Sequence, residues 1–273
     1  MKTLAELEHE AVWRRYDEVE ARLTAELSER MLDLAGVARG SRVLDLASGR
    51  GEPAIRAAHR VGSEGCVLGI DLYEGLLDIA RERAQRERVA NLELRTGDAR
   101  ELAGVPERSF DAVTCRWGLM YMLEPVAVLK NASRALAPSG AFVAALWCEP
   151  ERVPYHSLPR RILERYRELP ALDVEAPGVF RFADLERTKR DFEAAGLVID
   201  HVEERSVRVF EAETSDEVAE WVCAFGLARL LECVSEGDRA AWREELVLEL
   251  EAQRADGRVG LGGVTRLVRA RLM

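Results

Sequence analysis

Cysteine is sparse. The five residues, at positions 66, 115, 148, 223 and 233, are scattered and odd in number, and no C-x-x-C occurs among them. Such a set suits neither a disulfide framework nor a thiolate metal site. Buried thiols in a reducing compartment are expected, because Cys66, Cys115 and Cys148 sit in apolar, strand-like runs. The four histidines form no metal-spaced cluster, so no metal is expected. Positive charge is not in excess either. A net charge of −10 argues against nucleic acid or an anionic membrane as the main partner. Local basic stretches such as Arg160-Arg161 and Arg266 to Arg271 read as solvated faces. No apolar run is long enough to span a bilayer, the N-terminus is charged rather than signal-like, and no internal repeat or low-complexity linker is visible. The expectation is a cytoplasmic protein with a small-molecule partner, no nucleic acid and no membrane; the oligomeric state stays open.

What is present is enough chain, 273 residues with 48% hydrophobic and 32% charged, for one large α/β domain with a helical cap. Its organising stretch runs from Arg42 to Asp71. Val43 to Leu46 reads as a buried parallel strand. It ends in Gly49-Arg-Gly51, a tight turn that lets backbone approach a ligand. Pro53 suits the first turn of the helix that follows. Cys66-Val-Leu-Gly-Ile-Asp71 is the next strand, and it places a carboxylate at its tip, where ribose hydroxyls can donate to it.

Gly49-Arg-Gly-Glu-Pro-Ala54 formally fits the dinucleotide fingerprint, a weak signal alone. Asp45 and Glu52 flank the turn, where a dinucleotide would place its pyrophosphate at the helix N-terminus. A like-charge pair at about 4 Å costs roughly 1 kcal/mol in water and about 4 at an effective dielectric of about 20. A phosphate-free ligand with a positive centre reverses the sign, and S-adenosylmethionine is such a ligand.

Val43-Leu-Asp-Leu-Ala-Ser-Gly-Arg-Gly51, Gly69-Ile-Asp71, Gly97-Asp-Ala99 and Phe110-Asp-Ala-Val-Thr-Cys-Arg116 resemble the ordered motifs of class I S-adenosylmethionine-dependent methyltransferases. Cys115-Arg-Trp-Gly-Leu-Met120 and the spacing resemble the ubiquinone/menaquinone-type branch, methyltransferase type 11. The likeness is close over roughly Ser41 to Trp147 and concerns cofactor positions rather than acceptor positions. It implies S-adenosylmethionine held by Asp45, Ala47, Gly49, Gly51, Asp71, Leu72, Asp98, Ala99 and Arg116. In that scheme Asp71 takes the ribose, and Asp98 and Ala99 the adenine edge, with Leu72 on the adenine face. The glycines and the Arg116 backbone lie near the methionine end, and Asp45 orients the turn or the ammonium. The Arg116 side chain could instead face solvent.

Strands are expected near 42–47, 66–71, 91–96, 110–115 and 141–147, with helices near 53–61, 74–88 and 125–136. Pro106 to Ser109 and Pro138 to Gly140 read as turns. This alternation predicts a Rossmann-like α/β fold with helices on both faces of a parallel sheet and a site at the strand C-termini. The resemblance extends it to a seven-stranded, mostly parallel sheet whose last strand is antiparallel and inserted beside the fifth. Residues 4–35 read as two helices, 157–169, 184–195, 215–234 and 238–254 as later helices, and 198–210 and 264–272 as the last strands. The whole is expected to be one domain over 1–273: an N-terminal helical segment (1–40), a cofactor-binding core (41–148), and a cap with the last strands (149–273). Trp13 and Tyr16, at helical spacing, are expected mainly to pack that helix, although a segment before the first strand can lie across the cofactor mouth.

Methyl transfer needs orientation first and a base only when the acceptor must lose a proton. His156, following the fifth strand on the site's side, is the candidate base, with Tyr155 beside it; a helix-cap role is the alternative. His59 and His201 fall on the wrong side, and His9 reaches only if its segment folds over the mouth. Trp117, Met120, Tyr121, Met122, Phe180 and Phe182 read either as an apolar acceptor pocket or as ordinary core. A methyltransferase of a small organic molecule is favoured, O-methylation first and C-methylation next, on a secondary-metabolite or quinone-like acceptor. A S-adenosylmethionine-binding protein without transfer, a pocket-reusing cyclase and, least, an NAD-dependent oxidoreductase are the competing readings.

Overall fold

In a computed structural model describing residues 4–225, 231 and 234–273, with side chains from residue 11 onward, two helices come first: α1 (Leu4–Leu23) and α2 (Ala25–Leu34). Strand–helix alternation follows: β1 (Arg42–Leu46), α3 (Ala54–Val61), β2 (Cys66–Asp71), α4 (Glu74–Arg86), β3 (Leu92–Thr96), β4 (Phe110–Arg116), α5 (Pro125–Ala135) and β5 (Leu136–Trp147). Then come α6 (Pro154–Leu163), α7 (Leu185–Glu193), β6 (Leu197–Ala212), α8 (Ser215–Phe225), α9 (Glu236–Glu251) and β7 (Val259–Leu272). The seven strands form one sheet in the order β3-β2-β1-β4-β5-β7-β6. β1 to β5 pair in parallel, and β7 runs antiparallel between β5 and β6. This is the Rossmann-like arrangement expected.

Side-chain alternation assigns each sheet face its own helices. Val43, Val67, Ala112, Val143, Ala145 and Leu267 face one way and bury Met31 and Leu32 of α2 with Ala54, Ala57, Ala58 and Val61 of α3. Leu44, Leu46, Leu68, Ile70, Val113, Phe142, Ala144 and Leu146 face the other and bury Val128, Leu129 and Ala132 of α5 with Phe192 of α7. Apolar on both faces, β1 reads as a continuous hydrophobic run for this reason.

Beyond β5, α6, α8 and α9 make the cap. Trp242, Leu246 and Leu250 of α9 are buried, and the Trp242 indole N–H donates to the Pro159 carbonyl of α6 at 3.0 Å. α1 lies against β6 and α4, and Arg15 pairs with Glu220 of α8 at 2.7 Å.

Several boundaries differ from the sequence reading. The Pro138 to Gly140 turn is a bulge inside β5: Phe110 pairs with Leu136 and Ala112 with Ala141, so the extra residues loop out without ending pairing. The first cap helix starts at Pro154 and stops at Leu163, earlier than 157–169. β7 begins at Val259, before 264, because Gly260, Gly262 and Gly263 pair with β6 despite low strand propensity. At Gly262 a Cβ would lie 1.9 Å from the Val207 carbonyl oxygen, so close strand packing demands glycine there. The end of the expected 215–234 helix lies outside the described residues. Cys66, read as buried, is exposed at the first position of β2, while Cys115 and Cys148 are buried; Cys233 lies outside the described residues. Among the described residues no helix is long and apolar enough to cross a membrane, and no cluster of His, Cys, Asp or Glu could hold a metal.

Candidate functional site

The C-terminal ends of β1, β2 and β4 open beneath α1 and the cap into a cavity of about 560 Å³, within the range of small-molecule sites. Of the residues predicted for the cofactor, Ala47, Gly49, Asp71, Leu72, Asp98, Ala99 and Arg116 all line it. His156 lines it too, at the cap end, with Tyr155, Trp117, Trp147 and Trp221.

The glycine turn is fastened to the neighbouring strand tip. The Gly49 N–H donates to Asp71 Oδ2 at 2.8 Å, and the Tyr73 N–H donates to Asp71 Oδ1 at 2.9 Å. Burial raises the Asp71 carboxyl above its ordinary range, and these backbone donors oppose the rise. Gly49 has φ +52, a Cβ there would meet only the Ala47 carbonyl oxygen at 3.9 Å, and its backbone lines the cavity without a side chain. Gly51 behaves differently. It does not line the cavity; at φ +90 its absent Cβ would meet Ile55 Cδ1 at 2.6 Å, so it packs the turn onto α3. Gly118 brings the loop after β4 against the loop after β1, where a Cβ would come 2.3 Å from Ala47 Cβ. Ala47 and Trp117, at the same junction, hold φ of +54 and +53, strain of the kind that collects at functional sites.

Asp45 does not reach the cavity. It is fully buried below the turn, accepting from Thr114 Oγ1 at 2.7 Å. Burial pushes its carboxyl up to about 7, against the pull of Thr114 and Arg116. In the sequence Asp45 and Glu52 read as free negative charges. The structure corrects this. Glu52 pairs with Arg83 at 2.9 Å and Arg56 at 3.0 Å. Arg50, inside the glycine turn, pairs with Asp17 at 3.0 Å and with Glu20, both on α1. Arg116 turns inward rather than to solvent, donating to Thr24 Oγ1 with Glu20 at 3.7 Å. The floor is thus a balanced ion network. Asp98 is likewise engaged: the Arg100 side chain donates to it through Nε at 2.9 Å and Nη2 at 2.6 Å, and the Arg100 N–H at 2.8 Å. These hydrogen bonds, the side-chain one foremost, hold the Asp98 carboxyl below its usual range. A carboxylate has lone pairs beyond those.

At the cap end the walls are aromatic. Trp117 stacks on Trp147 with centroids 4.6 Å apart and planes 10° off parallel. Tyr155 sits 3.9 Å from His156 and 5.0 Å from Trp221. Burial lowers the His156 imidazole to about 3, so it is neutral, and its Nε2 is buried with no partner among the described residues. Of the apolar residues proposed for a pocket, Trp117, Tyr121 and Met122 line the cavity, whereas Met120, Phe180 and Phe182 are core. His59 bonds Glu87 and His201 bonds Glu203, both away from the cavity; the His9 side chain lies outside the described residues. Trp13 packs edge-on against Phe225 at 4.3 Å and also lines the cavity, while Tyr16 packs edge-on against Phe210 at 5.2 Å.

Sequence reasoning missed Asp17, Glu20, Arg50, Arg83 and Trp221. A signal existed for α1: Trp13, Asp17 and Glu20 fall at i, i+4 and i+7, one helical face.

The residues fit S-adenosylmethionine: an acceptor carboxylate at a strand tip, a bare glycine backbone beside it, and a cavity running on toward aromatic walls. Comparison with known proteins agrees. A family model for a methyltransferase domain matches residues 38–187, more than half of the chain. An aklanonic acid methyltransferase of Streptomyces sp. (strain C5) is 32% identical over 162 residues, 56% of this chain and 72% of that protein. A demethylmenaquinone methyltransferase of Listeria monocytogenes is 37% identical over 109 residues, 40% of this chain and 46% of the relative, so the chain spans under half of that enzyme. In fold, a SAM-dependent methyltransferase of Aquifex aeolicus matches with a TM-score of 0.53 at 18% identity, covering 71% of this chain and 90% of that one. The chain therefore belongs to the methyltransferase domain family, as an S-adenosylmethionine-dependent enzyme of the class I fold.

Proposed function

We propose that this methyltransferase acts on a planar, largely apolar acceptor bearing a hydroxyl group, by O-methylation. The single observation that carries the reading is the cap end of the cavity, where an unpartnered His156 Nε2 lies among Trp117, Trp147, Tyr155 and Trp221. Relatives named for aklanonic acid and demethylmenaquinone support a polyketide- or quinone-like acceptor. C-methylation remains the second reading, because a ubiquinone/menaquinone biosynthesis C-methyltransferase of Edwardsiella ictaluri is 32% identical over 176 residues, 61% of this chain and 70% of that protein.

Bound S-adenosylmethionine supplies a methyl group on a positively charged sulfur, an already activated electrophile. The chain's own contribution is then placement. In this reading Asp71 accepts from the ribose hydroxyls, Asp98 and the Ala99 N–H meet the adenine edge, Leu72 covers its face, and the Gly49 and Arg116 backbones border the methionine end. Trp117 and Trp147 hold the acceptor flat, and orientation supplies most of the rate. His156 stays neutral, so Nε2 accepts the acceptor hydroxyl and keeps its oxygen directed. The proton released on transfer passes from that oxygen to Nε2 and on to solvent. The N-terminal segment, core and cap act in this scheme as one domain in the cytoplasm.

The test is calorimetry with S-adenosylhomocysteine, then turnover of S-adenosylmethionine against hydroxylated naphthoquinones and anthraquinones. Binding with methylated product at oxygen is the expected result. Folded protein that binds the cofactor and turns over none of these acceptors would sink the acceptor assignment.

A further inference from the structure

Trp221 is 1% exposed, lines the cavity, and keeps its indole Nε1 buried with no hydrogen-bond partner among the described residues. Two other indoles are satisfied: Trp117 Nε1 donates to Thr265 Oγ1 at 3.0 Å and Trp242 Nε1 to the Pro159 carbonyl at 3.0 Å. A buried donor left unmade is costly, and native interiors rarely tolerate one without reason. The ring cannot swing away to find a partner. Phe210 stacks on it at 4.7 Å and 10°, while Tyr155 and Phe225 close in at 5.0 and 5.6 Å. Its neighbour across Tyr155 is His156, whose Nε2 is likewise buried with no partner among the described residues.

The two atoms ask for different things. An indole N–H only donates, so it needs an oxygen lone pair. A neutral imidazole nitrogen can accept from a hydroxyl. We propose that Trp221 is a specificity-determining residue of the acceptor site, its Nε1–H binding a second oxygen of the acceptor, a carbonyl or ether, while His156 takes the hydroxyl. The acceptor class is thereby narrowed from any hydroxylated aromatic to a planar ring carrying both a hydroxyl and an acceptor oxygen. A ligand with only one of these leaves a buried polar group unpaired, and sites built on hydrogen bonds reject such analogues far more strongly than purely apolar pockets do.

This rests on the acceptor reading above, and the test separates the two. The protein is saturated with S-adenosylhomocysteine, and 2-hydroxy-1,4-naphthoquinone and naphthalene are titrated as probes. Trp221→Phe keeps an aromatic ring and deletes the donor, together with the five-membered part of the indole. It is expected to weaken hydroxynaphthoquinone binding roughly tenfold, equivalent to about 1.4 kcal/mol, with a clearly smaller loss for naphthalene, which feels only the missing ring area. In the wild type, one indole N–H proton resonance is expected to move downfield with hydroxynaphthoquinone and not with naphthalene, a readout independent of how the variant folds. Equal loss of both probes, no change in either, no binding of hydroxynaphthoquinone to the wild type, or indole resonances indifferent to it would overturn the proposal. Failure of the wild type to bind S-adenosylhomocysteine at all would instead fall on the cofactor assignment.

Discussion

Asp71 carries two jobs that a pair of substitutions can separate. Its oxygens already accept the Gly49 and Tyr73 N–H groups at 2.8 and 2.9 Å, and its carboxylate still faces the cavity. A hydrogen bond to a charged group contributes about 1.5–3 kcal/mol, and a ribose hydroxyl on this carboxylate is of that kind. Asp71→Ala is therefore expected to weaken S-adenosylhomocysteine binding about 10- to 150-fold. It also strips the turn of its anchor, leaving two backbone donors to find water, which costs about 1–3 kcal/mol and lowers Tm by several degrees. Asp71→Asn keeps one carbonyl oxygen, but its amide NH2 must then confront a backbone N–H, so both losses are expected to be intermediate. Calorimetry gives the affinity and a thermal melt gives the stability. An Asp71→Ala protein that melts close to the wild type and binds S-adenosylhomocysteine within about threefold of it refutes the assignment, since no charged hydrogen bond is worth so little.

Three further outcomes are expected. Asp45 has a folded pKa of about 7 against about 3.9 in the unfolded chain. Between these values the native state holds the extra proton, so its contribution to stability is present at low pH and lost as pH rises to about 7. Asp45→Asn removes that titration, so urea unfolding should show it gaining on the wild type from pH 5 to pH 8; a constant gap refutes the reading. Gly51→Ala forces a Cβ to 2.6 Å from Ile55 at φ +90, and a loss of about 1–3 kcal/mol is expected; an unchanged melting temperature contradicts it. His156→Ala should cut turnover by roughly 10²-fold with S-adenosylhomocysteine affinity unaltered, and the wild-type rate should show no His156 limb near pH 6.5, because burial holds that ring near 3. Undiminished turnover removes the role.

How much of this was legible beforehand follows the range of the interactions. The central strands were readable because they are apolar on both faces, and the faces carry their own helices: Val43 shares one layer with Ala57 of α3, and Leu44 the other with Val128 of α5. The cavity residues at strand tips were readable because a parallel sheet brings every such tip to one edge. Gly260, Gly262 and Gly263 hid the start of β7, since local propensity argues against strand while the close approach of Val207 demands it. Trp221 was invisible as a site residue because α8 reads only as an amphipathic helix, and nothing local says that β6 and α6 will close around its indole.

The charge argument shows a subtler limit. Asp45 and Glu52 were counted as negative because their neighbours in sequence are what a reader sees. Except for Arg56, four residues from Glu52, their partners are far along the chain: Arg83 lies 31 residues from Glu52, and Thr114 lies 69 from Asp45. Folding places four arginines, 50, 56, 83 and 116, around the same floor, so repulsion of a diphosphate by bare carboxylates is no longer the discriminator. What survives is position. Glu52 is paired with Arg83 and Arg56, Asp98 is held by Arg100, Asp45 is sealed below the turn, and Asp71 lines the cavity at a strand tip with backbone N–H groups as its partners. Ion pairs also tie α1 to the glycine turn through Arg50, so the helix over the mouth and the turn beneath it share buried charges whose separation leaves each uncompensated. Selectivity at this site thus comes from which polar groups are already satisfied by the protein and which remain for a ligand to satisfy, a distinction that sequence-local charge counting does not make.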